Sequence, residues 1–290
     1  MMRQLIVLAT GCCIGLGLPA CVMEDMDDIT RVFNVPTPGE AARWALDQHD
    51  PDRRREGVVL LSTATFGGAD VYVDLYRDYV ENDPDPLVKS AAIAALARHG
   101  TSLDALIIAP WAERAVTESV TIRWAAVRGL QRLHNPDVVS ILVDVTINPQ
   151  EQTEVRGAAC VAMGQYAQDR VVQALITSLD ARELSINVDA AQSLTLLTGQ
   201  EFGLDIAAWQ HWYKNASAKG KAFANGREYF YPTYSRDSVW WEYAAFWLGE
   251  SHEPSLRPVG LRDSSERRTW DDFDAGSSGS GDRSEPANDG

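Results

Sequence analysis

Residues 88–96, VKSAAIAAL, set Val88, Ala91, Ala92, Ala95 and Leu96 at i, i+3, i+4, i+7 and i+8, which is one face of a helix. The pattern returns at 122–130 (IRWAAVRGL), at 155–163 (VRGAACVAM) and more weakly at 186–194 (INVDAAQSL), with an earlier copy at 53–61 (RRREGVVLL). Successive copies start 35, 34, 33 and 31 residues apart, and a period of that length outranks any local reading. An amphipathic helix is expected before each stripe, over 38–48, 70–80, 103–111, 137–146 and 171–178. In the first two copies the turn between helices holds Asp50, Pro51 and Asp52, then Asp83, Pro84, Asp85 and Pro86. Proline suits a first helical turn, and a neighbouring aspartate can accept from its unpaired N–H groups. Alanine at mid-stripe lets helices approach closely. No copy can bury its stripe alone, so the copies must stack. Alternating apolar and polar runs flanked by turns are lacking, which disfavours a β-rich fold.

The aliphatic-basic-x-Ala-Ala stripe after an Asp-Pro turn resembles HEAT repeats, especially the short bacterial ones akin to the phycobilin-lyase type. The resemblance implies an all-α fold, a right-handed α-solenoid of about five HEAT-like repeats over residues 36–203. It implies a scaffold or adaptor role toward protein partners, with no enzyme activity. A chromophore-lyase-like or chaperone role is the alternative that the same resemblance carries. That role needs a reactive, exposed residue, and Cys160 is the one cysteine outside the N-terminal segment. Its small apolar neighbours suit a core position better than a nucleophile.

One polar position recurs inside the stripe. Arg54, Lys89, Arg123 and Arg156 follow the first aliphatic or its equivalent, and Asn187 interrupts the series. One reading is a basic track for an acidic partner, with Arg123 and Arg156 as its contacts. The other is a ladder bonding turn aspartates such as Asp52 and Asp85 and carbonyls of the next repeat. One cation per repeat is a thin patch, which favours the ladder. If Lys89 faces solvent, Lys89→Leu is the mild counterpart of enlarging a stripe alanine.

Past residue 203 the composition changes. Residues 205–213 read as one more helix, and 209–247 hold 13 aromatics in 39 residues. The LTGQ stretch at 197–200, followed by a helix carrying Trp209 and Trp212, is similar to the close of HEAT-containing envelope proteins. The segment 204–261 is expected to cap the last repeat around Ala190, Leu194 and Leu197. It can equally bind a partner or a glycan through flat faces such as Trp240 and Trp241. Residues 262–290, rich in Gly, Ser and charge, are expected to lack structure.

At the other end, Arg3 precedes an uncharged run of 14 residues from Leu5 to Leu18, the length of a signal-peptide core rather than a membrane span. Leu18, Pro19, Ala20 and Cys21 resemble the lipobox of bacterial lipoproteins. The resemblance implies a lipid on Cys21, cleavage just before it, residues 22–35 as a tether and a membrane anchor at the cell envelope. Cys12 after Gly11 is the other candidate, and a plain secretory signal cut near Ala20 is the other processing route.

The net charge of −15, from 41 acidic and 26 basic residues, argues against nucleic acid as a partner, because phosphate neutralisation needs clustered cations. Among the five histidines none pairs with Cys or a second His at metal-ligand spacing, so no metal or cofactor is expected. His99 and His134 suit helix ends, where the dipole favours them. Gly67 and Gly68 suit a turn before the helix at Asp70 rather than a phosphate cradle. The expected partner is a protein of the envelope.

Overall fold

A computed structural model describes residues 37–218 without a break, and beyond them 222–223, 229–231, 234–235, 252–253, 257–261 and 267–269. The signal segment with Cys12 and Cys21, the tether and the pair Trp240 and Trp241 lie outside the described residues.

Five helix pairs follow one another. They are α1 (Pro38–Ala45) with α2 (Pro51–Thr63), α3 (Asp70–Asn82) with α4 (Pro86–His99), and α5 (Asp104–Ile108) with α6 (Val120–Leu130). Then come α7 (Val139–Ile147) with α8 (Thr153–Met163), and α9 (Asp169–Ser178) with α10 (Leu184–Thr198). Among the described residues one further helix follows, α11 (Ile206–Ser217). The second helices α2, α4, α6, α8 and α10 each touch the next, forming a row. The first helices stand behind that row, α3 beside α5 and α7 beside α9. The third pair departs from the others, because Pro110 ends α5 in a 3₁₀ turn over Ala109–Ala112.

The turns follow the expected chemistry. Pro51 and Pro86 open their helices, and Asp50 and Asp85 each accept from two backbone N–H groups of the first turn. The stripe is buried: Val88, Ala92 and Leu96 are at 0% exposure, as are Ala126 and Leu130. Small residues allow close approach. A Cβ on Gly57 would lie 2.1 Å from the Ala45 nitrogen, so α2 crosses α1 at backbone distance. Ala126→Leu is expected to overpack the row and cost about 1–3 kcal/mol. Ala94, exposed on α4, is the appropriate control site for a leucine. Urea unfolding of both variants measures the difference, and equal midpoints would place the stripe elsewhere.

An ion pair ties the second repeat to the third. Arg77 on α3 donates to both Asp104 oxygens, at 2.7 and 3.0 Å, and the Thr101 N–H and hydroxyl reach the same carboxylate. Burial alone would raise the Asp104 carboxyl, but the bonds from Arg77 and Thr101 outweigh it and hold the group below its ordinary range. Such a carboxylate stabilises the fold above the unfolded value of about 4, and that contribution fades as pH falls through the folded one. Stability of the wild-type chain should therefore drop below about pH 5 more steeply than that of Asp104→Asn. Urea midpoints between pH 3 and 7 test this, and parallel curves would contradict it.

The chain end does two things. On α11, Trp209 is at 0% exposure, edge-on to Phe202 at 4.9 Å and to Trp212 at 6.0 Å, and its indole N–H donates to the Gly203 carbonyl at 2.9 Å. Helix α11 lies on α9, and the short strand β1 (Tyr229–Tyr231) lies beside α10. Further on, Arg257–Leu261 runs back to the middle of the row and pairs with Leu133, a placement that end-capping alone does not foresee. Short strands complete the described residues: β2 (Tyr234–Ser235) pairs antiparallel with β3 (His252–Glu253). β4 (Arg267–Thr269), in the tail expected to lack structure, pairs parallel with β1.

Candidate functional site: the row of second helices

The recurrent polar position is internal at every copy. In the first, Arg54 donates Nε to Asp83 Oδ2 at 2.6 Å, its second nitrogen to Asp83 Oδ1 at 3.1 Å, and its third to the Asp47 carbonyl at 2.7 Å. In the third, Arg123 makes the same fork to Glu151, both bonds at 2.8 Å, and reaches the Thr117 carbonyl at 2.9 Å. Arg156 donates to the Thr146 carbonyl at 3.0 Å and lies 3.7 Å from Glu183. Each arginine thus takes carbonyls from the close of its own repeat's first helix or turn, where the helix dipole favours a cation. It takes its carboxylate from the turn of the next repeat.

Two copies differ, each for a visible reason. At the turn of the third repeat Thr117 stands where the second repeat has Asp83, so Lys89 meets no carboxylate there. Its ammonium instead donates to the Val80 and Glu81 carbonyls at 2.7 and 3.1 Å and lies 3.8 Å above the Trp111 ring. Burial pushes its pKa below the usual lysine value. In the last repeat no following turn exists to supply an acid. Asn187 fills the position with a neutral amide, donating to the Ser178, Leu179 and Ala181 carbonyls.

These contacts correct two expectations. Arg123 is 1% exposed and Arg156 is half-buried with its guanidinium spent on Thr146 and Glu183, so neither offers a free cation to a partner. Lys89, at 5% exposure, is no solvent-face control. The acids are Asp83, Glu151 and Glu183 rather than Asp52 and Asp85, because Asp52 is exposed beside Arg55 and Asp85 turns its oxygen to a helix start.

Other candidates are also committed inwards. Cys160 is fully buried, and burial pushes its thiol up to about 12, so it holds no thiolate for chromophore or acyl chemistry. His99 places Nε2 2.7 Å from the Ser62 carbonyl at the close of α2, and Gly67 and Gly68 lie against its ring. His134 stacks on Tyr166 at 4.7 Å and meets Gln165 at 3.2 Å. A cavity of about 380 Å³ opens between the first two pairs, but its charged lining is the Arg54–Asp83 pair, already closed on itself, and Asp78, which accepts from Asn82 at 2.8 Å. Among the described residues no group of three or more His, Cys, Asp or Glu could hold a metal ion. No helix among them is long and apolar enough to cross a membrane.

The row also has a solvent face. Trp124 on α6 is 39% exposed, and the Arg128 guanidinium one turn on lies 4.8 Å over its ring. The equivalent position holds Arg55, Ser90, Gly157 and Val188 in the other copies, so a large aromatic stands between small neighbours on α4 and α8. Trp124 is not among the site residues expected from the sequence, although its signal is there: an aromatic at the third stripe position, where the helical period points away from the core.

Residues 108–195, which run from the end of α5 through most of α10, match the family described as HEAT repeats. No curated protein matches the chain. Paired helices, stacked in sequence order with their second members in one row, make the described residues an α-solenoid, similar to HEAT repeats over 108–195.

Proposed function

We propose that this chain is a protein-binding scaffold whose partner docks on the solvent face of the second-helix row, centred on Trp124 and Arg128. HEAT repeats commonly serve as protein-interaction scaffolds, and such a solenoid is generally non-enzymatic. The observation that carries the reading is a tryptophan kept 39% exposed beneath an arginine, the one Phe, Tyr or Trp on the five helices of the row. Tryptophan and arginine are the residues on which binding energy concentrates at interfaces. Purified wild-type chain and Trp124→Ala should melt alike, while the variant loses roughly tenfold or more in affinity for a partner captured by the wild type. Equal retention of every captured protein by wild type, Trp124→Ala and Arg128→Ala would remove the face from consideration.

The lipobox resemblance at Leu18–Cys21 supports placing this scaffold at the cell envelope, held to the membrane by a lipid on Cys21. Mature protein should partition into detergent, and Cys21→Ser should leave an unprocessed precursor. Soluble mature chain with an unmodified N-terminus would refute the anchor.

A further inference from the structure

The segment Arg257–Leu261 lies in a notch between two loops, residues 100–103 after α4 and residues 131–135 after α6. Its contacts are those of a bound peptide. The Val259 N–H donates to the Arg132 carbonyl and the Val259 carbonyl accepts from the His134 N–H, both at 2.8 Å, a parallel bridge opposite Leu133. Pro258 is buried and Leu261 is 7% exposed, while Val259 between them is 43% exposed. Gly260 adopts φ +88°, a conformation that L side chains rarely take, and a Cβ there would lie 2.5 Å from Ser102 Cβ and 2.8 Å from the His134 carbonyl.

The notch itself is rigid. Leu133 is fully buried, His134 stacks on Tyr166, and Asn135 donates to the Ser102 carbonyl at 3.0 Å, tying the two loops together. With the segment removed, the Arg132 carbonyl and the His134 N–H would form an exposed two-group strand edge. An edge of that kind accepts an extended peptide through its backbone, and the flanking pockets then choose the side chains.

We propose that this notch is a recognition site for an extended Pro-aliphatic-Gly-Leu segment, and that Pro258–Leu261 is its internal ligand, displaceable by a partner's segment of the same chemistry. The site is separate from the Trp124 face and does not depend on that reading. Two backbone bonds and two buried apolar side chains hold the strap. It stands between β3, which ends at Glu253, and β4, which starts at Arg267, so the chain is held on both sides of it. A partner segment that binds more tightly than the strap would release it.

The test uses the full chain and a capped peptide spanning 255–262 (SLRPVGLR). Gly260→Ala should expel the strap, because a methyl cannot fit against Ser102. The amide signals of Leu133 and His134 should then shift on titration with the peptide and saturate. In the wild-type chain the same titration should leave them at least tenfold less responsive. A peptide carrying the same Gly→Ala change should bind neither chain. His134 amide exchange should accelerate in Gly260→Ala and slow again with peptide. Should Gly260→Ala not fold, Val259→Pro removes the donor to Arg132 and serves instead. Peptide that shifts neither amide in the strap-free variant, or shifts both chains alike, overturns the proposal.

Discussion

Arg123→Met should lower the unfolding free energy by about 3–5 kcal/mol, the range for stranding one charge of a buried pair. Both side chains of the Arg123–Glu151 pair are 1% exposed. The fork to Glu151 and the bond to the Thr117 carbonyl fill the guanidinium, and Glu151 also accepts from the Gln152 N–H at 2.8 Å. Methionine keeps most of the stem volume but leaves Glu151 enclosed without its cation. The double variant Arg123→Met with Glu151→Met should regain most of the loss, since a buried pair replaced whole by apolar groups is often neutral. Denaturant unfolding measures both. A single-variant loss under 1 kcal/mol would show that water reaches Glu151 readily and that the pair is a surface feature.

Trp209→Ala should be the second large effect, about 3–5 kcal/mol as for other buried aromatics cut to alanine. Trp209 is the one fully enclosed side chain of α11 and belongs to the core shared with the repeats, while Tyr213 adds a bond to Asp169 of α9 at 2.6 Å. Its loss removes the edge contacts with Phe202 and Trp212 and the bond to the Gly203 carbonyl. Trp212→Ala, at a half-buried site, should cost less. Thermal melting with light scattering separates the outcomes, because a freed α11 exposes the outer side of α9 and promotes self-association. Unchanged melting and scattering would mean that α11 contributes nothing to closing the last repeat.

How far the sequence revealed the molecule differs between its parts. The five stripes could be read directly, because burial at Val88, Ala92 and Leu96 follows from helical period alone and recurs. The helix starts at Pro51 and Pro86 were legible for the same reason, the caps being local in sequence. The ladder was legible as a series of positions but not as a set of partners. Arg54 finds Asp83 29 residues away and Arg123 finds Glu151 28 away, offsets fixed by how one repeat seats on the next. No local pattern encodes that seating. The strap at Arg257–Leu261 left no trace in the period, because it is held by two backbone groups and a glycine conformation rather than by an apolar stripe. Trp124 escaped notice because the stripe drew attention to what is buried.

The ladder also fixes the order in which repeats can stand. Each arginine is completed only by the turn that follows it, and the turns are not alike: Asp83 and Glu151 carry acids, whereas the third repeat presents Thr117. If the first repeat were to seat on the third, Arg54 would meet Thr117 in place of Asp83, with the exposed Glu118 beside it as the acid of that turn. A chain shortened by excising the second repeat, or two chains exchanging repeats out of step, would meet that mismatch at once. The pairs therefore proofread assembly as well as hold it, and the neutral Asn187 marks the last place in the line.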